Sequence, residues 1–110
     1  MSYLDTLYIN PGVAGLTENP GVPEQFSLKQ NFPNPFNPST QITYSLPKDA
    51  IVKLEVFNIL GQKVKTLVNE FKNAGEYSIT FNATNLASGI YIYRLSAGDV
   101  RFVKKMVLLR

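Results

Sequence analysis

Three prolines fall within six positions of this chain, just ahead of a run in which apolar and polar residues alternate. They are Pro33, Pro35 and Pro38, in the segment Phe-Pro-Asn-Pro-Phe-Asn-Pro-Ser-Thr-Gln at residues 32–41. Each proline fixes its own φ near about −65°, removes a backbone donor and pushes the residue before it toward extended conformations. The segment is therefore predicted to be stiff and extended, and unable to pair in the centre of a sheet.

The residues around these prolines predict how the segment is held. Asn34 and Asn37 can turn their side-chain oxygens onto nearby backbone N–H groups. Phe32 and Phe36 offer large apolar surfaces to a core beneath them. From the residues alone, we interpret the segment as a rigid crossover pinned to that core.

From Phe26 onward, runs typical of β-strands are separated by turn residues at intervals of about ten positions. Seven such runs are predicted, at residues 26–30, 41–46, 51–58, 63–68, 76–82, 90–96 and 100–109. No stretch keeps a helical period long enough for a helix. The pattern favours an all-β sandwich or barrel.

Alternation within these runs identifies the side chains expected in the core. Inward-facing positions are predicted for Ile42, Tyr44, Leu46, Val52, Leu54, Val56, Tyr77, Ile79 and Phe81. Lys53 and Glu55 are predicted to face outward. The run at residues 90–96 is apolar on both faces, which is typical of a central strand. Burial of these apolar side chains must stabilise the fold, because the chain has no cysteine for a disulfide.

The side chains on which most enzymes depend are scarce. The absence of histidine and cysteine excludes an imidazole acid–base step, a thiol nucleophile and, in practice, a zinc site. The carboxylates are expected singly, in turns or on outward strand faces: Asp49, Glu55, Glu70, Glu76 and Asp99. No glycine-rich phosphate loop or acidic calcium loop is present. The sequence therefore predicts neither an enzyme nor a bound cofactor.

Charge is modest overall and concentrated near residue 110. Eleven Lys and Arg against eight Asp and Glu give a net charge of +3, which is too little to predict a nucleic-acid partner. The last ten residues contain no acid and four cations: Arg101, Lys104, Lys105 and Arg110. Cations in an edge strand ordinarily protect it from pairing with other chains. Alternatively, a receptor recognises the same strand, by strand addition or by its charge.

The first part of the chain has a different composition. Proline, glycine and polar residues without period predict a linker at residues 10–25. Ahead of it, Leu4, Leu7, Tyr8 and Ile9 could form the last strand of a preceding domain or an extra edge strand here. No membrane span or signal peptide is recognisable. We expect residues 1–24 to be a linker or the end of a preceding domain of a longer protein, and residues 25–110 to be the folded domain.

The segment Leu86–Tyr91 predicts a corner that enters the sixth strand. Gly89 would permit a close backbone approach there. Tyr91 could bury its ring while its hydroxyl bonds the backbone of the corner, as in the tyrosine corner of some β-sandwiches.

Four segments together resemble a known family. They are residues 31–40 with 44–47, residues 57–64, residues 86–91 and residues 104–108. In this order they resemble the type A C-terminal sorting domain of the type IX (Por) secretion system, over residues 25–110. The resemblance implies an immunoglobulin-like β-sandwich of about seven antiparallel strands.

The resemblance also implies a function and partners. Such a domain directs a large exported cargo of Bacteroidetes-type bacteria from the periplasm through the outer-membrane translocon. A cell-surface sortase then removes it, which would place cleavage between Asn10 and Gln25. The implied partners are the translocon, the sortase and an upstream cargo domain in the same polypeptide, and the cargo would end at the cell surface or in the extracellular space.

The motif residues of the family can be carried over position by position. The proline box corresponds to Pro33, Asn34, Pro35, Phe36, Asn37 and Pro38. The glycine–tyrosine box corresponds to Gly89 and Tyr91. The terminal basic and apolar strand corresponds to Lys104, Lys105, Met106, Val107 and Leu108. Phe32 stands where the family often has tyrosine.

A second class of function is a structural or carbohydrate- or protein-binding module attached to an extracellular enzyme. Sugar binding would need an exposed aromatic platform, for which Tyr8, Tyr77, Tyr91 and Tyr93 are the available rings. Most of these positions face the predicted core. A weak dimer through open edge strands is compatible with either function.

Overall fold

A computed structural model describes residues 22–110, which form seven strands. The strands are β1 (Ser27–Leu28), β2 (Ser39–Leu46), β3 (Ala50–Asn58), β4 (Lys63–Lys72), β5 (Gly75–Asn82), β6 (Gly89–Ala97) and β7 (Val100–Leu108). All seven predicted runs are confirmed as strands, with β1 shorter than its run and β4 longer. No helix that could cross a membrane occurs among the described residues.

The strands make two antiparallel sheets. One sheet has the order β1-β2-β5 and the other has the order β4-β3-β6-β7. This arrangement confirms the prediction of an all-β, immunoglobulin-like sandwich. It also confirms β6 as an interior strand, and it places β7 at an edge of the four-stranded sheet.

The core lies between the sheets and consists of the side chains that the alternation predicts. Alternate residues of β2 and of the middle of β3 are fully buried, namely Ile42, Tyr44, Leu46, Val52, Leu54 and Val56. On β5, Phe81 is buried, while Tyr77 and Ile79 are half-buried and pack against the core. A strand whose alternate residues are all apolar gains most by turning that face inward, which fixes the register of β2 against β5.

The prediction that Glu55 faces solvent as a free carboxylate is wrong. Its side chain projects from the outer face of the four-stranded sheet, but it is only 4% exposed. Arg94 covers it, with Nη2 at 2.9 Å from one carboxylate oxygen, and Lys63 Nζ lies 3.5 Å from the other. The Arg94 guanidinium also lies over the ring of Phe57, at 4.8 Å from its centroid. Long cationic side chains from neighbouring strands can therefore bury an acid that alternation alone would leave exposed.

These neighbours change the acidity of Glu55. Burial alone would raise the pKa of this carboxyl, but the hydrogen bonds from Arg94 and Lys63 and the charge of Lys53 outweigh burial, so the pKa is lowered overall. The ionised form is the one that the fold stabilises.

Several expectations concern residues outside the described range. They are the strand formed by Leu4, Leu7, Tyr8 and Ile9, most of the predicted linker, and most of the expected cleavage region.

A candidate recognition surface where the proline segment meets the terminal strand

The free side of β7 is only partly open. Backbone groups alternate in direction along a strand, and those of the odd-numbered residues of β7 point away from β6. Two residues beyond β1, Gln30 Nε2 donates to Lys105 O at 2.7 Å, and Val107 and Leu109 bond to the proline segment. The second half of the β7 edge is therefore covered by residues that come from the other end of the domain.

The proline segment joins the two sheets. Phe32 forms a bridge with Gln41 at the start of β2, through N–O distances of 3.0 and 2.9 Å. Phe36 forms a parallel bridge with Leu108: its N–H donates to Val107 O at 2.9 Å, and its carbonyl accepts from Leu109 N at 3.0 Å.

The extended course predicted for this segment is wrong. The chain bends at residues 33–35 and 37–38, and the peptide bonds that precede Pro33, Pro35 and Pro38 are cis. The bends follow from the path, because the chain must reach from β2 to the edge of β7 and return to begin β2 within a few residues.

The predicted partner of Asn34 is also wrong. We expected its side-chain oxygen to bond a nearby backbone N–H, but Asn34 Oδ1 accepts from the N–H of Val107 at 3.0 Å. This bond satisfies an edge donor of β7 that a neighbouring strand would otherwise satisfy. Asn37, the second asparagine of the segment, is exposed.

The two phenylalanines of the segment have opposite environments. Phe36 is 2% exposed and packs against Phe81, with ring centroids 6.1 Å apart. Phe32 is 79% exposed. The prediction of a crossover pinned to the core is therefore confirmed for Phe36 and wrong for Phe32, which presents its ring to solvent.

A buried polar network lies beneath the segment, and sequence reasoning missed it. The Tyr93 hydroxyl accepts from Asn31 N at 2.8 Å and donates to Lys29 O at 2.7 Å. The Asn31 side chain donates to Thr40 Oγ1 at 3.0 Å and to Pro33 O at 3.1 Å. Asn31 and Thr40 are each 2% exposed. The network fixes the entrance and exit of the proline segment.

The environment of Tyr93 agrees with this role. Burial raises the pKa of its hydroxyl to about 12, partly offset by the hydrogen bond from the Asn31 backbone. The hydroxyl therefore stays protonated as a donor and acceptor within the core. Asn31 could have been noticed in the sequence as a polar residue just ahead of the proline segment. Nothing local in the sequence indicates that Tyr93 lies opposite it.

The glycine–tyrosine box reaches the same end of β7. Gly89 pairs with Leu108 and Tyr91 pairs with Met106 across the β6–β7 ladder. The Tyr91 hydroxyl donates to Ala87 O at 2.7 Å, and the residue is 7% exposed, which confirms the predicted corner. The close approach expected at Gly89 is wrong, because no heavy atom lies within 4 Å of where a Cβ would be. Glycine suits this position because its φ is +154°, which side chains rarely adopt.

The turn between β3 and β4 lies beside this box. Asn58 Oδ1 accepts from the backbone N–H groups of Leu60 and Gln62, at 2.9 and 3.0 Å. The braced turn displays Ile59 and Leu60, which are 67% and 79% exposed. A cavity of about 230 Å³ separates the turn from residues 88–91. Residues 31–40, 57–64, 86–91 and 104–108 thus contribute to one end of the sandwich, whereas residues 44–47 lie toward the other end of β2.

The cations of β7 face different directions. Lys104 projects from the inner side and is half-buried, while Lys105 is exposed on the outer side. Arg110 lies beyond the strand and donates to Ala83 O at 2.9 Å and Leu86 O at 3.2 Å. Its backbone N–H donates to Ser88 Oγ at 2.9 Å. The chain after β7 is therefore attached to the β5–β6 connection.

The described tyrosines do not form an aromatic platform. Tyr93 is fully buried, Tyr91 is nearly so, and Tyr77 is half-buried and stacks on Tyr44 at 5.4 Å between centroids. Within residues 22–110, no group of three or more acidic side chains is arranged to hold a metal ion. The geometry describes a folded module that presents a surface.

The fold and the surface define a class of protein: an immunoglobulin-like sandwich in which two sequence motifs bond to the end of the terminal strand. The pattern of the family described as "Secretion system C-terminal sorting domain" matches residues 30–109, so the chain belongs to that family. It carries a C-terminal sorting signal of type IX secretion, a family that is non-catalytic and that implies export from the cell. No curated protein matches the chain.

Proposed function

We propose that residues 25–110 direct an upstream cargo domain from the periplasm through the type IX translocon of the outer membrane. A cell-surface sortase then removes the domain by cleavage between Asn10 and Gln25, and the cargo remains at the surface or outside the cell. The domain acts by being recognised and carries out no chemistry of its own. The observation that carries this proposal is that the proline box and the glycine–tyrosine box both bond to the end of β7, with the β3–β4 turn beside them.

The arrangement suits recognition for a physical reason. Asn34 and Phe36 bond directly to β7, and Gly89 and Tyr91 pair with it from the other side. Residues that bind a receptor must be held in fixed relative positions, since ordering them on binding would cost affinity. The anchored residues thus position the exposed ones, which include Phe32, Pro33 and Pro35.

We assign two kinds of role to the motif residues on this basis. Positioning residues hold the surface together: Asn34, Phe36, Gly89, Tyr91, Met106, Val107 and Leu108. We assign the remaining motif residues as contact residues: Pro33, Pro35, Asn37, Pro38 and Lys105, which are exposed, and Lys104, which is half-buried at the inner side of β7. Substitutions in the first group should reduce export because they destabilise the fold. Substitutions in the second group should reduce export although the domain remains folded.

The test is a fusion in a type IX host. The full 110-residue chain is attached behind a reporter that carries a periplasmic signal peptide, and reporter is measured in periplasm and medium. Export of the fusion, with loss of a fragment that ends between residues 10 and 25, is expected. Retention in the periplasm while a native substrate leaves the same cells would overturn the proposal. A reporter without the domain is the matched control.

We also propose that any weak dimer forms through β5 and not through β7. Among the described strands, β5 is an edge of the three-stranded sheet, and Glu76 is its one charged residue. Two β7 edges would bring cations together. Sedimentation at increasing concentration, with Thr80→Pro on β5 as the variant, measures this association.

A further inference from the structure

The edge of β7 is divided into a covered half and an uncovered half. The hydrogen bonds from Gln30, Asn34 and Phe36 reach Lys105 O and the backbone of Val107 and Leu109. Arg101 and Val103 point their backbone groups in the same direction, and no hydrogen bond from within residues 22–110 reaches those groups. Unpaired groups in such a row are a template for an added strand.

The outer face of β7 from Arg101 to Lys105 carries positive charge that none of the ion pairs within residues 22–110 neutralises. In the described part of the chain, the cations of the ion pairs are Lys29, Lys63, Lys72 and Arg94, and none of them lies on β7. Arg101 and Lys105 are both exposed, on the same outer face, with Val103 between them at 60% exposure. The edge therefore repeats cation, apolar residue, cation along one face.

A second copy of this chain does not fit that edge. Antiparallel pairing of two β7 strands about Val103 would place Arg101 of each copy opposite Lys105 of the other. Like charges directly opposite in a ladder are destabilising. The charge pattern instead selects an acidic partner.

We propose that residues 101–105 of β7 bind an extended acidic segment of a partner protein by strand addition, with backbone bonds at Arg101 and Val103 and a side-chain ion pair at Lys105. The segment lies antiparallel to β7, with an acid opposite Arg101, an apolar residue opposite Val103 and an acid opposite Lys105. The motif is thus acid, any residue, apolar, any residue, acid. The inference rests on the proposed function and deepens it, since it gives the chemistry of the receptor that reads β7.

A neighbouring cavity supports the apolar position of this motif. A recess of about 270 Å³ on the outer face is lined by Phe57, Gly61, Ile92, Arg94 and Val103. A side chain from the added strand that rests on Val103 lies at the rim of this recess. Strand addition in general takes affinity from backbone bonds and specificity from such side-chain pockets.

The experiment uses the purified full chain and two capped nonapeptides. One contains the core Glu-Thr-Val-Thr-Glu, and the other replaces both glutamates with lysine. The acidic peptide is expected to shift the amide resonances of Arg101 and Val103 and to slow their hydrogen exchange. It should bind about tenfold more tightly than the lysine peptide at low salt, because two ion pairs become two repulsive pairs.

Two variants test the register. Val103→Pro removes an edge N–H that points away from β6, so it should abolish peptide binding while the rest of the spectrum is kept; Val103→Thr, which retains the N–H, should bind. Arg101→Glu with Lys105→Glu should reverse the preference toward the lysine peptide. This charge reversal serves if the proline variant fails to fold.

Three results would overturn the inference: equal binding of both peptides, shifts that map to β5, and amides of Arg101 and Val103 that are already protected in the free chain. The peptide experiment does not measure export, so failure of peptide binding and failure of the fusion to leave the cell are separate outcomes.

Discussion

The side-chain oxygen of Asn34 accepts the backbone N–H of Val107 at 3.0 Å, across 73 positions of sequence. One motif of the family thus satisfies an edge donor in another. Phe36 repeats the connection with two backbone bonds to Val107 and Leu109. The proline box and the terminal strand are consequently one structural unit, and changes in either should be felt in the other.

Asn34→Ala should loosen the end of β7. The variant removes one hydrogen bond at the protein surface, worth about 1 kcal/mol. Amide exchange at Val107 is expected to accelerate about fivefold while exchange in β3 stays unchanged. Asn37→Ala is the matched control, since it removes an exposed asparagine of the same segment. Equal acceleration in both variants would contradict the assignment of Asn34 as the β7 anchor.

Tyr93→Phe should destabilise the domain strongly, although the substitution removes only one hydroxyl group. Loss of the hydroxyl leaves the buried Asn31 N–H without its partner and removes a bond to Lys29 O, at a cost of about 2–3 kcal/mol. Denaturant unfolding followed by tyrosine fluorescence measures this. Tyr91→Phe, which loses the single bond to Ala87 O, should cost about 1 kcal/mol. A smaller loss for Tyr93→Phe than for Tyr91→Phe would mean that the buried network contributes little.

Replacing Lys104 and Lys105 together by glutamine separates recognition from folding. Unpaired charges near the surface contribute only about 0–1 kcal/mol, so the melting temperature should change little. If the translocon reads these charges, export of a reporter fusion should fall while the domain remains folded. Lys48→Gln with Lys53→Gln, which removes the same charge elsewhere, should export normally. Unchanged export of the double variant would mean that Lys104 and Lys105 only protect the edge strand from pairing with other chains.

The ion pair of Glu55 predicts a pH dependence of stability. The pKa of this carboxyl is lowered in the folded state relative to its ordinary value of 4.5, so the unfolded chain binds the proton first. Its stabilising contribution is complete above pH 4.5 and is lost as pH falls through the lower, folded value. Glu55→Gln should flatten the acid limb of a plot of unfolding free energy against pH. Asp99→Asn, at an exposed acid that has no ion pair within residues 22–110, is the matched control.

Gly89→Ala tests a backbone effect without a steric one. A methyl group at this position meets no atom within 4 Å, but φ is +154°. An L-residue held there is strained, by about 1–3 kcal/mol. The variant should melt at a lower temperature and show faster amide exchange at Leu108, its partner on β7. Ser88→Ala, one position earlier, removes the hydrogen bond from the Arg110 backbone and should lower the free energy of unfolding by about 1 kcal/mol or less. A melting temperature for Gly89→Ala equal to that of the unaltered domain would contradict this account.

Sequence periodicity was sufficient for the strands and for most of the core. Alternation depends on one side of each strand facing an apolar layer, and β2 and β3 obey this rule at every inward position. Glu55 did not obey it in the expected way, because its burial arises from Arg94 and Lys63 on other strands. Alternation identifies the face of a residue but not what its neighbours place over it.

The candidate surface was predictable as a list of residues but not as an arrangement. The four motifs could be found by resemblance, whereas the bond from Asn34 to Val107 joins segments that only the folded sandwich brings together. For the same reason local rules assigned Asn34 a partner in its own turn. Phe32 and Phe36 look equivalent in sequence, and only the path of the chain between the sheets distinguishes the buried ring from the exposed one.

The position of β7 within the chain has a consequence for quality control. A ribosome makes β7 after every other described strand, yet β7 supplies one side of the β6 ladder and the bonds that hold the proline segment. A cargo whose synthesis stops early cannot assemble this end of the sandwich. An export machine that reads the assembled end would therefore reject truncated products without inspecting the cargo itself.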